Sequence, residues 1–250
     1  MSTPSLPPAV EQVSDAAARA ADKSTVSEPV AEERGRTANV VILAGIVGFT
    51  GIFALVRAGR SAAIDLALMV KLQRGSNPVF DRLMAIASWP GFPPQSRVIP
   101  PAIMATMWLA RLRTEAIFQL LGWCTGALSS VLKGIMRRPR PAGVDLRVVT
   151  APLGGSSFPS GHVITYVGTY GFLAYLAHTK LRRRAGRRPI VAGLLALLAL
   201  VGPSRIYQGH HWPTDVTASY LLGTSYLIGL TSLYRRVKSR QRRDAGLPQA

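Results

Sequence analysis

The chain has 250 residues, is 48% hydrophobic, holds a single cysteine and carries a formal net charge of +18. One cysteine excludes an intrachain disulfide framework and a cysteine-based metal site, and Cys124, inside an apolar stretch, reads as a small buried side chain. The charge would suit nucleic acid, but its placement argues against that partner. Six of the 30 basic residues fall in 180–188 and six more in 235–243, each cluster directly after an apolar segment. Such clusters mark membrane topology first and contact with anionic lipid headgroups second.

Residues 1–37 are rich in Ala, Ser, Pro and Glu and hold six of the twelve acidic residues. With few large apolar side chains they cannot offset their ordering entropy, so they read as a disordered tail. They lack the basic start and apolar core of a signal peptide. The first apolar run, 38–56, is long enough to cross a hydrocarbon core of about 30 Å. Residues 61–89 are amphipathic, with Asp65, Lys71, Arg74, Asp81 and Arg82 interrupting apolar stretches too short to span. They read as one or two short interfacial helices, closed by the turn Trp89-Pro90-Gly91-Phe92-Pro93-Pro94. Further spans are expected at 98–110, 114–136, 160–178, 189–203 and 213–234, with a Pro- and Gly-rich polar loop at 137–158 and a basic tail at 235–250.

The expectation is therefore an all-α, polytopic helical bundle of about six transmembrane helices, its membrane-embedded domain covering 38–234. Six spans put both termini on one side. Arg111, Arg113 and the two basic clusters fall on that side, which the positive-inside rule makes cytoplasmic in a cell membrane. The opposite face then carries 57–97, 137–158 and 204–213, although 57–97 itself holds six basic residues and two acidic ones.

Three polar clusters on that outer face carry chemistry. The first runs from Lys133 to Pro141 and includes Arg137, Arg138 and Arg140. A lysine still inside an apolar span is expensive unless it has a purpose, though a snorkelling lysine at the interface is the ordinary alternative. The second, Gly154 to His162, opens a helix at Pro159-Ser160-Gly161-His162. A helix N-terminus offers unpaired N–H groups and a positive dipole end, and Gly161 lets backbone approach an anion closely. An ordinary N-cap would explain Ser160 but not His162. The third runs from Ser204-Arg205 through His210-His211 to Asp215. His211 and Asp215 are four apart and can share a helix face that Pro213 helps to start. A carboxylate on one ring nitrogen would fix the tautomer and leave the other nitrogen to attack. A metal held by His162 and His211 is conceivable, but no convincing third ligand accompanies them. Together the clusters describe a phosphate site with an acid/base and a nucleophile.

These residues resemble the type 2 phosphatidic acid phosphatase superfamily, which also contains vanadium haloperoxidases. Its motifs Lys-x6-Arg-Pro, Pro-Ser-Gly-His and Ser-Arg-x5-His-x3-Asp read here as Lys133…Arg140-Pro141, Pro159-Ser160-Gly161-His162 and Ser204-Arg205…His211…Asp215. They match in residue type, spacing and order, and the spacing selects His211 over His210. The resemblance implies that His211 forms a phosphohistidine, that Asp215 orients it, and that His162 protonates the leaving oxygen and then activates water. It also implies that Lys133, Arg140, Ser160, Gly161 and Arg205 hold the phosphoryl oxygens, with these fixed cations in place of a metal and no cofactor. The implied activity is hydrolysis of a membrane lipid phosphate: phosphatidic acid, phosphatidylglycerol phosphate or a polyprenyl diphosphate. A lipid phosphotransferase using the same intermediate is the alternative, and a vanadate-dependent haloperoxidase a remote one. Substrate identity and oligomeric state are not readable from the sequence.

Overall fold

The apolar run after Ala38 lies inside one long helix, α1 (Glu28–Arg57), of the computed structural model, which describes residues 28–75, 77–143, 146–148, 155–181 and 184–246. The helix begins ten residues inside the segment expected to be a tail. Ala, Glu and Arg, frequent in this stretch, favour the helical conformation. Residues 1–27 of that expected tail lie outside the described residues. Then follow α2 (Ala62–Gln73), α3 (Pro78–Ser88), a single 3-10 turn (Trp89–Gly91) and α4 (Gln95–Leu109). α5 (Arg113–Trp123), α6 (Thr125–Met136), α7 (Gly161–Lys180), α8 (Arg184–Tyr207) and α9 (Pro213–Asp244) complete the chain. Among the described residues every regular element is helical, as expected.

Two compact units are present, one of residues 41–231 and one of the terminal segments through Val40 and from Ser232. In the terminal unit the described residues belong to the outer ends of α1 and α9.

The centre of the unit 41–231 is α7, twelve of whose 20 residues are buried. Four helices are long and apolar enough to cross a membrane: Gly35–Arg57, Arg113–Met136, Ala185–Tyr207 and Pro213–Asp244. Two expected spans differ from these. α4 has 15 residues, about 22 Å at the α-helical rise, short of a hydrocarbon core. α7 is long enough but carries Tyr, Thr, Gly and His along its length, which a helix surrounded by protein tolerates. Apolar side chains point outward elsewhere, such as Leu43, Val47, Val131 and Leu195, as a lipid solvent requires. The chain is a multi-pass membrane protein.

The span expected at 114–136 is broken at Cys124 into α5 and α6. A Cβ on Gly122 would lie 2.5 Å from the Gly168 carbonyl oxygen, and one on Gly168 would lie 2.2 Å from the Gly122 oxygen. Two glycines thus let α5 and α7 touch backbone to backbone. The Thr125 hydroxyl donates to the Gly122 carbonyl (2.8 Å) at the break. The break also corrects the reading of Cys124, which is exposed rather than buried.

Candidate active site

The three motifs converge at one end of this unit, and the packing that brings them there is specific. Phe158 is fully buried against Phe49 and Phe53 of α1, with ring centroids 6.0 and 5.8 Å away. This anchors the start of α7. The Ser160 amide donates to Ser219 Oγ of α9 (2.8 Å). Ser160 stands at the N-cap position, yet its hydroxyl caps nothing and is buried without a hydrogen-bond partner. The ordinary capping explanation for this serine therefore fails.

The loop before α7 is clipped to α2 and α8. Gln73 accepts from the Arg147 amide (3.0 Å) and donates to the carbonyls of Arg147 (2.9 Å) and Tyr207 (3.1 Å). Arg147 pairs with Asp81 of α3 at 2.5 Å, and the Tyr207 hydroxyl donates to the same carboxylate. These two donors, Tyr207 first, hold the Asp81 carboxyl below its ordinary value. Gly209, at φ +78°, passes so close to the Arg147 carbonyl that a Cβ would lie 2.4 Å from it. That turn delivers His210 and His211.

His211 is buried, and its Nδ1 lies 2.7 Å from the Ser157 carbonyl and 3.6 Å from Asp215 Oδ2. A carbonyl can only accept, so Nδ1 carries the proton and Nε2 keeps its lone pair. Burial, then Arg205, Arg140 and Lys133, hold His211 well below the ordinary histidine value, so the ring is neutral. The sequence assigned this orienting contact to Asp215. In the structure the Ser157 carbonyl holds the shorter contact, and Asp215 bonds the Trp212 amide (2.9 Å) and Arg138 (2.5 Å).

Within the Lys133–Pro141 cluster Arg138 carried no role of its own in the sequence reading. It bridges Asp215 and Asp65 (2.6 Å), both fully buried, and also bonds Ser61 and Thr214. Asp65 also accepts from the Thr214 amide (2.9 Å). α2 is therefore tied to the site through a buried ion pair rather than being only an interfacial helix. One signal was available: a lone carboxylate inside the apolar run 62–70 is expensive without a partner.

The cations differ in how they are used. Arg140 donates to the His210 carbonyl (2.8 Å), bracing the histidine turn. Arg205 is fully buried and bonds Ser88 Oγ (2.5 Å), Gln208 Oε1 (3.0 Å) and His210 Nδ1, with its guanidinium 4.8 Å over Phe92. All these partners are neutral, and Arg205 Nε has no hydrogen-bond partner. Burial, then Arg205, push His210 down to about 3, so it too is neutral. Lys133 lies beside Gly161, since a Cβ there would meet Lys133 Nζ and Ser129 Oγ at 3.4 Å each. His162 packs against Gly91 and edge-on to Phe92 (4.8 Å), and its Nε2 is buried without a partner. Buried polar groups are normally paired. Here Ser129, Ser160, His162 and Arg205 each present an unpaired atom in a cluster that also holds Lys133 and Arg140, which fits an anion with several acceptor oxygens. Among the described residues no group of three His, Cys, Asp or Glu is arranged to hold a metal ion.

The PAP2 superfamily model matches residues 102–239. The chain is 35% identical over 128 residues to phosphatidylglycerophosphatase B of Bacillus subtilis (strain 168), covering 48% of this chain and 59% of that protein. It is 35% identical over 99 residues to the bacitracin transport permease protein BcrC of Bacillus licheniformis, covering 34% of this chain and 43% of that one. The chain thus spans less than two thirds of the length of these curated relatives. Its fold is similar to the transmembrane PAP2 type phosphatidylglycerolphosphate phosphatase from Bacillus subtilis, with a TM-score of 0.69 and 23% identity over 78% of this chain and 96% of that one. It is also similar to Aquifex aeolicus LpxE, with a TM-score of 0.53 and 24% identity over 67% and 94%. The matched region contains all three motifs, and by this match the chain belongs to the PAP2 superfamily.

Proposed function

We propose that the chain is a lipid-phosphate phosphatase working through a phosphohistidine on His211. The observation that carries this reading is the set of buried, unpaired polar atoms on Ser160, His162 and Arg205 beside a neutral histidine whose Nε2 is free to attack. Lys133, Arg140, Ser160, Gly161 and Arg205 surround the phosphoryl oxygens, and their charge offsets that of the transition state. Nε2 of His211 bonds to phosphorus as the bond to the leaving oxygen breaks, and His162 gives that oxygen a proton. Water then attacks phosphorus, His162 takes its proton, and the P–N bond breaks to release inorganic phosphate. Asp215, clamped by Arg138, stands 3.6 Å from Nδ1 and stabilises the positive charge that develops on the ring.

The substrate class is a membrane lipid carrying a terminal phosphate, which the apolar bundle and the names of the relatives in the family both support. The distribution of basic residues favours a site on the outer face of the cell membrane with both termini cytoplasmic. Purified protein in detergent should release phosphate from such lipids, and acid-free quenching during turnover should trap a phosphohistidine. His211→Ala should abolish both while His210→Ala retains the trapped adduct. Full activity in His211→Ala would refute the assigned nucleophile.

A further inference from the structure

α7 starts at the phosphate site with Gly161 and ends at Lys180, about 30 Å away at the α-helical rise. There Lys180 pairs with the buried Glu115 of α5 (2.6 Å), so the turn from α4 into α5 stands at the end of the unit remote from the site. Beside this turn lies a groove of about 240 Å³. Met104, Ala105 and Trp108 of α4 and Ala116, Ile117 and Leu120 of α5 line it, and none of them is charged. Trp108, Ile117 and Leu120 are exposed.

Two arginines flank the groove. The Arg113 guanidinium lies 5.6 Å from the centroid of the Trp108 ring, which is itself a wall of the groove. A guanidinium stacked on a ring keeps its N–H edge for an anion. Arg111 closes α4: its amide donates to the Trp108 carbonyl (3.0 Å), and the Leu112 amide donates to the Met107 carbonyl (2.9 Å). This closure puts its central residue in the left-handed region and favours glycine there, yet the position holds an arginine at φ +60°. Neither arginine pairs with a carboxylate among the described residues.

We propose that this groove binds an anionic phospholipid, with one acyl chain between α4 and α5 and the phosphodiester on Arg111 and Arg113. The uncharged walls suit a chain, and the two cations at the rim suit a negative headgroup over a zwitterionic one. A second protein copy would need about 20–30 residues a side for a stable interface. Six line this groove. The bound lipid is a resident of the membrane, distinct from any lipid whose phosphate reaches His211.

The test is quenching of Trp108 fluorescence by lipids brominated on their acyl chains, with the full chain in detergent micelles. Brominated phosphatidylglycerol is compared with brominated phosphatidylcholine. Subtracting the signal of Trp108→Phe removes Trp89, Trp123 and Trp212, so lipid at the phosphate site is not read. Phosphatidylglycerol should bind more tightly by roughly five- to thirtyfold, about fivefold for each arginine. Arg111→Gly should lower that preference about fivefold without lowering the melting temperature, because glycine suits the positive φ. Arg113→Gln should lower it by a similar factor, and Ala105→Phe, which fills the groove, should weaken quenching by both lipids. Equal quenching by the two lipids in the wild type would mean bulk lipid only and overturn the site. A preference intact in Arg111→Gly/Arg113→Gln would overturn it too, as would undiminished quenching in Ala105→Phe. Absence of quenching by either lipid, the result of a second copy covering the groove, would also refute it. Phosphate release is not measured, so failure here leaves the phosphatase reading intact.

Discussion

Replacing Arg138 with Gln would strip two buried carboxylates of their shared cation. The guanidinium is 11% exposed and both Asp65 and Asp215 are 0% exposed, so solvent does not screen the pairs. It donates to Asp65 at 2.6 Å, to Asp215 at 2.5 Å, to Ser61 at 3.0 Å and to Thr214 at 2.8 Å. Each bond to a carboxylate contributes roughly 1.5–3 kcal/mol, and breaking a buried pair costs about 3–5 kcal/mol because the remaining charge is stranded. Arg138→Gln should therefore destabilise the protein by about 3–5 kcal/mol, nearer the lower end if one carboxyl takes up a proton. Adding Asp65→Asn should return part of the loss, since it removes one stranded charge. The measurement is a double-mutant cycle by denaturant unfolding in detergent micelles, with phosphate release assayed in parallel. Activity should fall through kcat, because Asp215 loses the clamp that holds it beside His211. A coupling below about 0.5 kcal/mol, the level of independent sites, would refute the bridge.

Gly91→Ala tests the seat of His162. The added Cβ would lie 2.2 Å from Cδ2 and 2.6 Å from Nε2 of the ring, so the imidazole must move. Misplacement by about 1 Å should lower kcat roughly a hundredfold with the helices still folded, and an unchanged kcat would show that the ring does not rest there. A third prediction concerns pH. His210 is pushed down to about 3 and His211 is held well below the ordinary 6.5, both chiefly by burial. Below 6.5 the unfolded chain binds more protons at these positions than the folded one. Their contribution to stability is therefore complete above 6.5 and drains away as pH falls towards 3. Melting temperatures measured in detergent from pH 8 to pH 4 should decline with acid, and His210→Asn should make the decline shallower; an equal slope in the variant would sink the assignment.

The helical class and the three motifs are legible in the order of residues alone, because both are written in local patterns. Long apolar runs between basic clusters require membrane helices, since lipid leaves backbone groups no other partner. Pro159-Ser160-Gly161-His162 opens a helix wherever it stands, and the spacing from Lys133 to Arg140 and from Arg205 to His211 and Asp215 is a property of the chain alone. What the sequence could not carry was any contact whose partners lie far apart along it. The bridge from Asp65 through Arg138 to Asp215 closes 73 and 77 residues of separation, and only the packing of α2 against the loop before α7 brings those charges together. The same holds for the Ser157 carbonyl beside His211 Nδ1 and for the exposure of Cys124 at the break between α5 and α6.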